Sequence, residues 1–388
     1  MTHFDIEYLK LVKRILQEGV EVENRTGINT IKVPSHNFEF DVAKEFPILT
    51  TKDTAWDKSI IEMLWIWQMG SNDVKDLHDR GVHIWDEWMI DKDGIYRIYE
   101  PEGKCEYDPD REVVVLDPLS TPLDDPLGVR HTLSPKLDEK GNVMTAKSLK
   151  EGKTIRAAKY YGPELAGTIG KAYGFYNDRY GMMRNTQHQL KHNPYDRKIV
   201  NSLWQMEYLR EAVLPSCVYE NSWDVTNGKL SLFVNQRSCD VPLGLPFNIT
   251  QYATLFKMML QTTNLEPGKM YYKIKDAHIY VNQLKGIEEL LRREQKYQEL
   301  YTKSITYLLK YRDTLINKIG YLDKKSEEYK RMDSDIRIVD MLLSPSKPEL
   351  WLEPSIDDIF DFDNSKELEH TKVRNYKHMG KIKFPIAQ

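Results

Sequence analysis

The chain has 388 residues, with 55 lysines and arginines against 59 aspartates and glutamates and a net charge of −4. This balance excludes a strongly basic nucleic-acid-binding protein, and we expect binding neither to DNA nor to anionic membranes. Hydrophobic residues make up 40% of the chain, and no apolar run approaches a membrane span. Three cysteines without paired spacing and no visible secretory signal predict a soluble cytoplasmic protein that lacks a disulfide framework and a zinc knuckle.

The N-terminal region predicts two helices and a strand. Apolar residues recur at helical spacing over residues 7–18, and Gly19 follows as a C-terminal cap. The β-forming residues 31–42 predict an edge or bulged strand, because a proline interrupts them. Residues 57–69 predict a second helix, which is apolar on most sides and therefore buried.

Glu62 lies inside this apolar helix. A buried carboxylate must be paired, hydrogen-bonded or protonated, because removing its charge from water alone is costly. Glu62 is therefore either a core residue with an ionic partner or a functional group.

Two segments differ in composition from the rest of the chain. Residues 92–163 are rich in Asp, Pro, Gly and Lys, which predicts an insertion of loops and short strands with little helix. Residues 293–347 carry apolar residues at helical spacing amid dense charge, which predicts a helical hairpin. This hairpin is either an inserted surface element or a partner-binding coiled coil. Length alone leaves open one large domain with insertions or two domains.

The stretch from Leu214 to Asp240 predicts a β-hairpin, because Asn227-Gly228 separates two β-rich runs. A two-residue loop places Cys217 opposite Ser238, and one bulge would bring Arg237 to the face of Cys217. A guanidinium there would favour the thiolate, the form that attacks electrophiles, and could hold a substrate phosphate. An inert buried cysteine is the alternative.

Ordered motifs along the chain resemble the thymidylate synthases and their deoxynucleotide hydroxymethylase relatives. The motifs are Asn24-Arg25-Thr26-Gly27, the run from Phe46 to Lys52, Ile61-Glu62, Ile84-Trp85-Asp86-Glu87-Trp88, Ala172-Tyr173-Gly174, Asp196-Arg197-Lys198, Cys217, Gln236-Arg237-Ser238-Cys239-Asp240, Leu243-Gly244-Leu245-Pro246-Phe247-Asn248, Asp276-Ala277-His278-Ile279-Tyr280 and the tail Ile382 to Gln388.

The resemblance covers residues 1–91, 164–292 and 348–388. It implies a single catalytic domain over residues 1–388, interrupted by insertions at about 92–163 and 293–347. The implied fold is α+β, with a large mixed β-sheet flanked by helices. The resemblance also implies that the other face of the sheet packs in a homodimer with shared active sites.

The resemblance also implies a reaction, the folate-dependent transfer of a one-carbon unit to C5 of dUMP. Cys217 would attack C6 of the pyrimidine, and Glu62 would handle the proton near O4. Tyr173 would assist proton removal at C5, and Arg237 would contact both the nucleophile and the substrate phosphate.

Further residues match the family's substrate and cosubstrate contacts. On the nucleotide side, the phosphate contacts are Arg25, Arg237 and Ser238, with Arg197 and Lys198 lent by the partner subunit, and the base and ribose contacts are Gln236, Asn248, His278 and Tyr280. On the side of 5,10-methylenetetrahydrofolate, the matching residues are Asp240, Trp85, Lys52, Gly244 and Ala387. The amide of Asn248 fits uracil, whereas an aspartate would suit cytosine. Folate is the only cofactor implied, and we expect no metal.

Several residues depart from the family pattern, and they bear on the product. Ser216 and Asn177 replace a usual proline and tryptophan, Asn29 and Lys275 replace usual glycines, and the tail ends in Gln388 instead of an apolar residue. An amide at a closing tail could hold water, and water capture of the C5 methylene intermediate gives 5-hydroxymethyl-dUMP, as in phage enzymes. The departures therefore favour a dUMP hydroxymethylase. The alternatives are a thymidylate synthase that makes dTMP and dihydrofolate, and an inactive homologue that binds nucleotide or RNA.

Overall fold

The computed structural model describes residues 1–101 and 104–387, so the prediction about Gln388 lies outside the described residues. Its α-helices are α1 (His3–Glu18), α2 (Trp56–Trp67), α3 (Val74–His78), α4 (Gly174–Tyr180), α5 (Met182–His192), α6 (Gly244–Thr263), α7 (Leu284–Tyr301), α8 (Ile305–Ile319) and α9 (Glu327–Leu343). Its strands are β1 (Val20–Val22), β2 (Thr30–Phe40), β3 (Ile95–Tyr99), β4 (Val113–Asp117), β5 (Ser134–Pro135), β6 (Thr145–Ala146), β7 (Ile155–Tyr160), β8 (Val200–Ser202), β9 (Val218–Thr226), β10 (Lys229–Gln236), β11 (Cys239–Asp240), β12 (Glu266–Tyr280), β13 (Glu349–Leu352) and β14 (Thr371–Arg374).

A reciprocal cap begins helix α1. The Thr2 hydroxyl accepts from the Asp5 backbone N–H at 3.1 Å, and the Asp5 carboxylate accepts from the Thr2 backbone N–H at 2.8 Å. The same carboxylate accepts from the backbone N–H groups of Thr50 and Thr51 at 2.8 and 3.0 Å. The helix is therefore joined to the segment that ends in Lys52. At the other end, the Gly19 N–H donates to Ile15, which confirms the predicted stop.

The main sheet has the strand order β1-β2-β12-β10-β9-β8, with β11 added beside β12. Strand β12 pairs parallel with β10 and antiparallel with β2, so the sheet is mixed. Side chains alternate along each strand, as a sheet with two different faces requires. On β10, Leu230, Leu232 and Val234 are buried, whereas Phe233 points to the other face and is 36% exposed.

Helix α6 packs on this sheet against β10, β11 and β12, and helix α2 packs against α6. Every residue of α2 from Ser59 to Trp67 is buried, Glu62 included, as the apolar sequence predicts. Two tryptophans of α2, Trp65 and Trp67, are among the largest fully buried side chains. The mixed sheet with flanking helices confirms the predicted α+β fold.

A second, five-stranded sheet, with the order β3-β7-β4-β5 and β6 beside β4, lies within residues 92–163. It has a small core that includes Ile95, Val115 and Ile155. Arg156 of β7 donates to the Thr26 carbonyl at 2.9 Å, so this sheet contacts the loop that carries Arg25. Helices α8 and α9 form the predicted helical pair. That both segments are insertions stays a prediction.

Helix α7 joins several distant parts of the chain. The buried Arg293 guanidinium donates to the carbonyls of Thr51, Gly380 and Lys381 at 3.0, 2.9 and 3.2 Å. In the first turn of the helix, the Phe384 ring lies against Gly286, where any Cβ would overlap it. The C-terminal tail is therefore held along α7.

Over the described residues, no helix is long and apolar enough to cross a lipid bilayer.

Candidate active site

The β9–β10 hairpin has Cys217 at its open end, directly before β9. Its turn residues Asn227 and Gly228 have φ values of 51° and 75°, as a type I′ turn requires. Pairing is regular from Lys229↔Thr226 to Asn235↔Glu220 and then shifts, so that Gln236 lies opposite Val218. This shift is the bulge that the sequence analysis considered. It brings Arg237 to Cys217, and the Arg237 N–H donates to the Cys217 carbonyl at 2.8 Å.

The Arg237 side chain is fixed beside the Cys217 sulfur. Its Nη2 lies 3.8 Å from Cys217 Sγ, and the same nitrogen donates to the Pro215 carbonyl at 2.5 Å. Its Nε donates to the Ser216 carbonyl at 3.0 Å. Because two carbonyls hold the guanidinium in place, a permanent positive charge faces the half-buried thiol. The predicted cysteine–arginine pair is confirmed.

Tyr173 lies on the other side of the cysteine. Its hydroxyl oxygen accepts from the Cys217 backbone N–H at 2.8 Å, which leaves the phenol proton free to donate. Burial, and next the neighbouring Cys217, raise the pKa of Tyr173 well above its ordinary value. Tyr173 adopts a φ of 47°, a left-handed conformation that is uncommon for a bulky residue. Its ring also packs on Trp85, with centroids 5.4 Å apart.

Glu62 is buried, and two side chains donate to it. The Trp85 indole Nε1 donates to Glu62 Oε1 at 2.5 Å, and the Gln251 amide donates to Oε2. Burial raises the pKa of Glu62 to about 7, although both hydrogen bonds act in the opposite direction. No cation pairs with Glu62 among the described residues, so it is not a salt-bridged core residue. A carboxyl group with this pKa can give and take a proton near neutral pH.

Gln251 is the first of a series of hydrogen-bonded side chains that the sequence did not predict. Its Oε1 accepts from Asn248 Nδ2 at 3.0 Å, and Asn248 Oδ1 accepts from Gln236 Nε2 at 3.2 Å. Gln236 Oε1 in turn accepts from the Tyr272 hydroxyl at 2.7 Å. Gln251 lies three residues after Asn248 on α6, and this spacing places both on one helix face. That spacing was the available signal.

Other predicted nucleotide contacts gather around Asp276. The Ser238 hydroxyl donates to Asp276 Oδ2 at 3.2 Å, and Lys32 Nζ lies 3.3 Å from Oδ1. Burial raises the pKa of Asp276, but the partners His278 and Lys32 outweigh that effect and lower it to about 2. The rings of His278 and Tyr280 meet edge to face with centroids 5.1 Å apart. Ser238, His278 and Tyr280 therefore lie close together, as predicted contacts to one nucleotide must.

Two of the predicted folate residues, Asp240 and Lys52, lie near the C-terminal tail. Gln283 donates to Asp240 Oδ2 at 2.9 Å and to the Pro385 carbonyl at 3.2 Å, so the Gln283 side chain connects Asp240 to the tail. Burial raises the pKa of Asp240. Burial lowers the pKa of Lys52 to about 8, and its ammonium lies 5.6 Å from the centre of the Phe384 ring.

The two remaining folate candidates are Gly244 and Ala387. Gly244 begins α6, where a Cβ would meet Asn248 Oδ1 in ordinary contact. Ala387 is half-exposed at the end of the described tail. Neither position shows a feature that selects a folate ligand, so both stay predictions.

Three predicted phosphate ligands make no hydrogen bond or ion pair with Cys217 or Arg237 within the described part of this chain. Arg25, Arg197 and Lys198 are all exposed, and Lys198 pairs with Asp196 at 3.5 Å. Arg25 is close enough to Tyr280 to oppose the rise of that residue's pKa, which burial takes to about 12. A role for Arg197 and Lys198 across a dimer interface remains a prediction.

The departures from the family pattern have distinct structural settings. Asn177 donates to the carbonyls of Ile66 and Trp67, both at 2.9 Å, and accepts from the Met183 N–H at 2.9 Å. It therefore ties α2 to α4 and α5. Ser216 is fully buried beside Cys217, and its hydroxyl has no partner among the described residues.

Comparisons with known proteins point to one family. A family model described as thymidylate synthase matches residues 6–339. The chain is 29% identical over 387 residues to the thymidylate synthase of Clostridium beijerinckii and 28% identical over 406 aligned positions to thymidylate synthase 1 of Bacillus subtilis, with 100% of both proteins covered in each case. A solved structure described as thermostable thymidylate synthase A from Bacillus subtilis superposes with a TM-score of 0.59 and 27% identity, over 100% of both chains.

Proposed function

Because the chain belongs to the thymidylate synthase family, we propose that it converts dUMP to dTMP, with dihydrofolate as the second product. The protein is a one-carbon transferase, and methylenetetrahydrofolate is its cosubstrate. The relatives named above are thymidylate synthases, which favours the methyl product over the 5-hydroxymethyl product. Gln388, which motivated the hydroxymethyl prediction, lies outside the described residues.

The observation that carries the proposal is the Cys217 sulfur facing a fixed guanidinium nitrogen at 3.8 Å, next to a buried carboxyl group with a pKa of about 7. Tyr173 and Trp85 connect the two, since Tyr173 accepts from the Cys217 backbone, packs on Trp85, and Trp85 donates to Glu62. Nucleophile, cation and proton carrier thus belong to one continuous set of contacts.

Each of these groups has a step to perform on dUMP. Cys217 Sγ adds to C6, and Arg237 stabilises the thiolate that attacks. Negative charge then develops toward O4, where Glu62 holds the balancing proton. We propose that Tyr173 assists the removal of the C5 proton. When bound, the folate would supply the methylene carbon to C5 and then a hydride to that methylene carbon, which completes the methyl group.

The residues of the folate side fit a pterin. Asp240 presents a carboxyl group that Gln283 and the Leu243 N–H hold in position, and a carboxylate accepts from ring N–H donors. Trp85 offers a largely buried indole, 8% exposed, for contact near the one-carbon bridge. Lys52 places a buried cation near the tail.

We propose that Gln251 and Asn248 recognise the base together. Gln251 Oε1 occupies one N–H of the Asn248 amide, and this sets which way that amide points. The other N–H is left for O4 of uracil, and Oδ1 can accept from N3–H. Gln251 donates to Glu62 at the same time, so base recognition and proton handling share one residue.

A homodimer is the second part of the proposal. The outer face of the main sheet presents the stacked rings of Phe233 and Tyr271, with centroids 4.9 Å apart, and Asn37 and Lys273 beside them. The dimer would cover this face and bring Arg197 and Lys198 to the partner's phosphate site. A cytoplasmic location also stays part of the proposal.

Mass spectrometry of the nucleotide formed from dUMP and methylenetetrahydrofolate tests the product, with the folate product followed in the same tube. We expect dTMP and dihydrofolate from the full chain, no product from Cys217→Ser, and normal product from Cys105→Ser, which removes an exposed thiol. A nucleotide one oxygen heavier, formed with tetrahydrofolate, would instead establish the hydroxymethylase.

Covalent trapping separates the enzyme from an inactive nucleotide-binding homologue. We expect 5-fluoro-dUMP and methylenetetrahydrofolate to leave a covalent adduct on the peptide that contains Cys217. Binding of 5-fluoro-dUMP without any adduct would refute the enzymatic function.

A further inference from the structure

Three side chains that ligate metals lie together on the surface, outside the site described above. His78 Nε2 is 2.6 Å from Asp86 Oδ1, and His83 Nδ1 is 3.3 Å from Asp86 Oδ2. One ligand atom from each of the three residues can be chosen so that all lie within 4.8 Å of one another. The two imidazole rings are tilted by 31° relative to each other, with centroids 4.7 Å apart. Two imidazoles and a carboxylate therefore converge on one point.

The backbone around this group is held by contacts that do not involve the three side chains. The Val82 N–H donates to the Leu77 carbonyl at 2.9 Å, which closes the turn that follows α3. Both Leu77 and Val82 are completely buried. Gly81 adopts a φ of 70° in this turn, and the Lys58 ammonium donates to its carbonyl at 2.9 Å. His78 and His83 are therefore brought to the same side of a short, anchored turn.

Neighbouring charges leave the three ligands available. The two carboxylates adjacent to these residues in sequence have cationic partners: Asp79 pairs with Lys75 at 2.5 Å, and Glu87 pairs with Lys150 and Lys153 at 2.9 and 3.3 Å. The side chains of His78, His83 and Asp86 are 33%, 63% and 40% exposed, so an ion can reach them from solvent.

We propose that His78, His83 and Asp86 bind one divalent first-row transition-metal ion, such as Zn²⁺ or Ni²⁺. Imidazole nitrogen suits these ions, whereas Mg²⁺ and Ca²⁺ prefer sites made of oxygen ligands. Bonds to such an ion are about 2.0–2.2 Å long for nitrogen and carboxylate oxygen, so the ion would replace the present contacts between the histidines and Asp86. Three protein ligands leave at least one position for water. The site is independent of the proposed function, and its failure would leave that function untouched.

The position of the site links it to the active site. Asp86 directly follows Trp85, whose indole donates to Glu62 at 2.5 Å. An ion bound to Asp86 therefore constrains the start of the turn that places Trp85. A change in activity on metal addition is a secondary readout, and binding is measured without it.

Calorimetric titration of the metal-free full-length protein with ZnCl₂ and with NiCl₂ tests the proposal. We expect one site whose affinity falls by about tenfold or more in His78→Ala and in His83→Ala, since loss of a ligand costs at least as much as loss of a supporting contact. His188→Ala is the matched control, because His188 and His192 form another exposed histidine pair, with centroids 4.5 Å apart, on α5. Asp86→Asn keeps the side-chain shape and should also weaken binding, and circular dichroism checks that each variant is folded.

Several results would overturn the site. Undiminished affinity in both His78→Ala and His83→Ala would do so, as would loss of the site in His188→Ala. A Co²⁺ derivative reports the ligand type through its absorption spectrum. A strong thiolate charge-transfer band would show that the ion binds a cysteine instead, and the proposal would then be wrong.

Discussion

Replacing Gln251 by leucine should shift the pH dependence of catalysis upward. The Gln251 amide donates to the carboxylate of Glu62 and so stabilises its charged form, which lowers the pKa. A hydrogen bond to a charged group contributes about 1.5–3 kcal/mol to stability, and one pH unit in a pKa corresponds to about 1.4 kcal/mol. Without this donor, the limb of the kcat/KM profile that reports Glu62 should move from near pH 7 to a pH higher by about 1 to 2 units.

The same change should weaken the choice of base. Leucine cannot hold the Asn248 amide, because it lacks the oxygen that now accepts from Asn248 Nδ2 at 3.0 Å. We expect the ratio of kcat/KM for dUMP over dCMP to fall by about tenfold, the equivalent of one hydrogen bond of about 1.4 kcal/mol.

The assay is initial-rate kinetics over a series of pH values, with Gln261→Leu as the matched control. Gln261 is another glutamine of α6, and it donates to the carbonyls of Glu353 and Ile356 instead of to Glu62. An unmoved limb in Gln251→Leu would refute the reasoning. An equal shift in both variants would also refute it, because the effect would then come from the helix and not from the contact with Glu62.

Three further predictions concern stability and assembly. Ser216→Ala should stabilise the protein by about 1 kcal/mol in urea unfolding, because it removes a buried hydroxyl without a partner; a loss of stability would contradict this. Asn177→Ala should destabilise the protein by about 2–4 kcal/mol, because three buried backbone groups lose their partner. Asn185→Ala, at an exposed position, should change the stability little, and equal effects of the two changes would show that the contacts of Asn177 are unimportant. Phe233→Asp should shift sedimentation from dimer to monomer, while Val129→Asp, at a residue 80% exposed elsewhere, should not; an unchanged dimer would place the interface on another surface.

The sequence predicted the elements that depend on residues close together in the chain. Asn227-Gly228 requires positive φ at both positions, and the hairpin follows from that requirement. The apolar run of α2 predicted burial, and the carboxylate within it marked Glu62 as unusual. The pairing of Cys217 with Arg237 was only conditional, because a register shift depends on long-range packing and leaves little trace in sequence.

Contacts between distant residues could not be read from the sequence. Gln251 and Glu62 lie 189 positions apart, and no local pattern links a glutamine of one helix to a carboxylate of another. The link from Asp240 through Gln283 to Pro385 has the same character. In the sequence, Asn177 is only a departure from the family pattern. In the folded chain, its amide donates to two carbonyls at the end of α2. The nature of the product depends on such contacts, and the departures alone did not determine it.

The attachment of the tail to helix α7 has a mechanical consequence. Arg293 binds the carbonyls of Gly380 and Lys381 and also that of Thr51, so the root of the tail cannot leave without uncovering a buried guanidinium. Residues 382–387 therefore extend from a fixed pivot, and they are held by the Phe384 ring against Gly286 and by the Gln283 amide, which donates to the Pro385 carbonyl. Opening of the tail requires the release of both contacts, with the pivot unchanged. The tail is thus a short latch whose closure depends on one aromatic contact and one hydrogen bond.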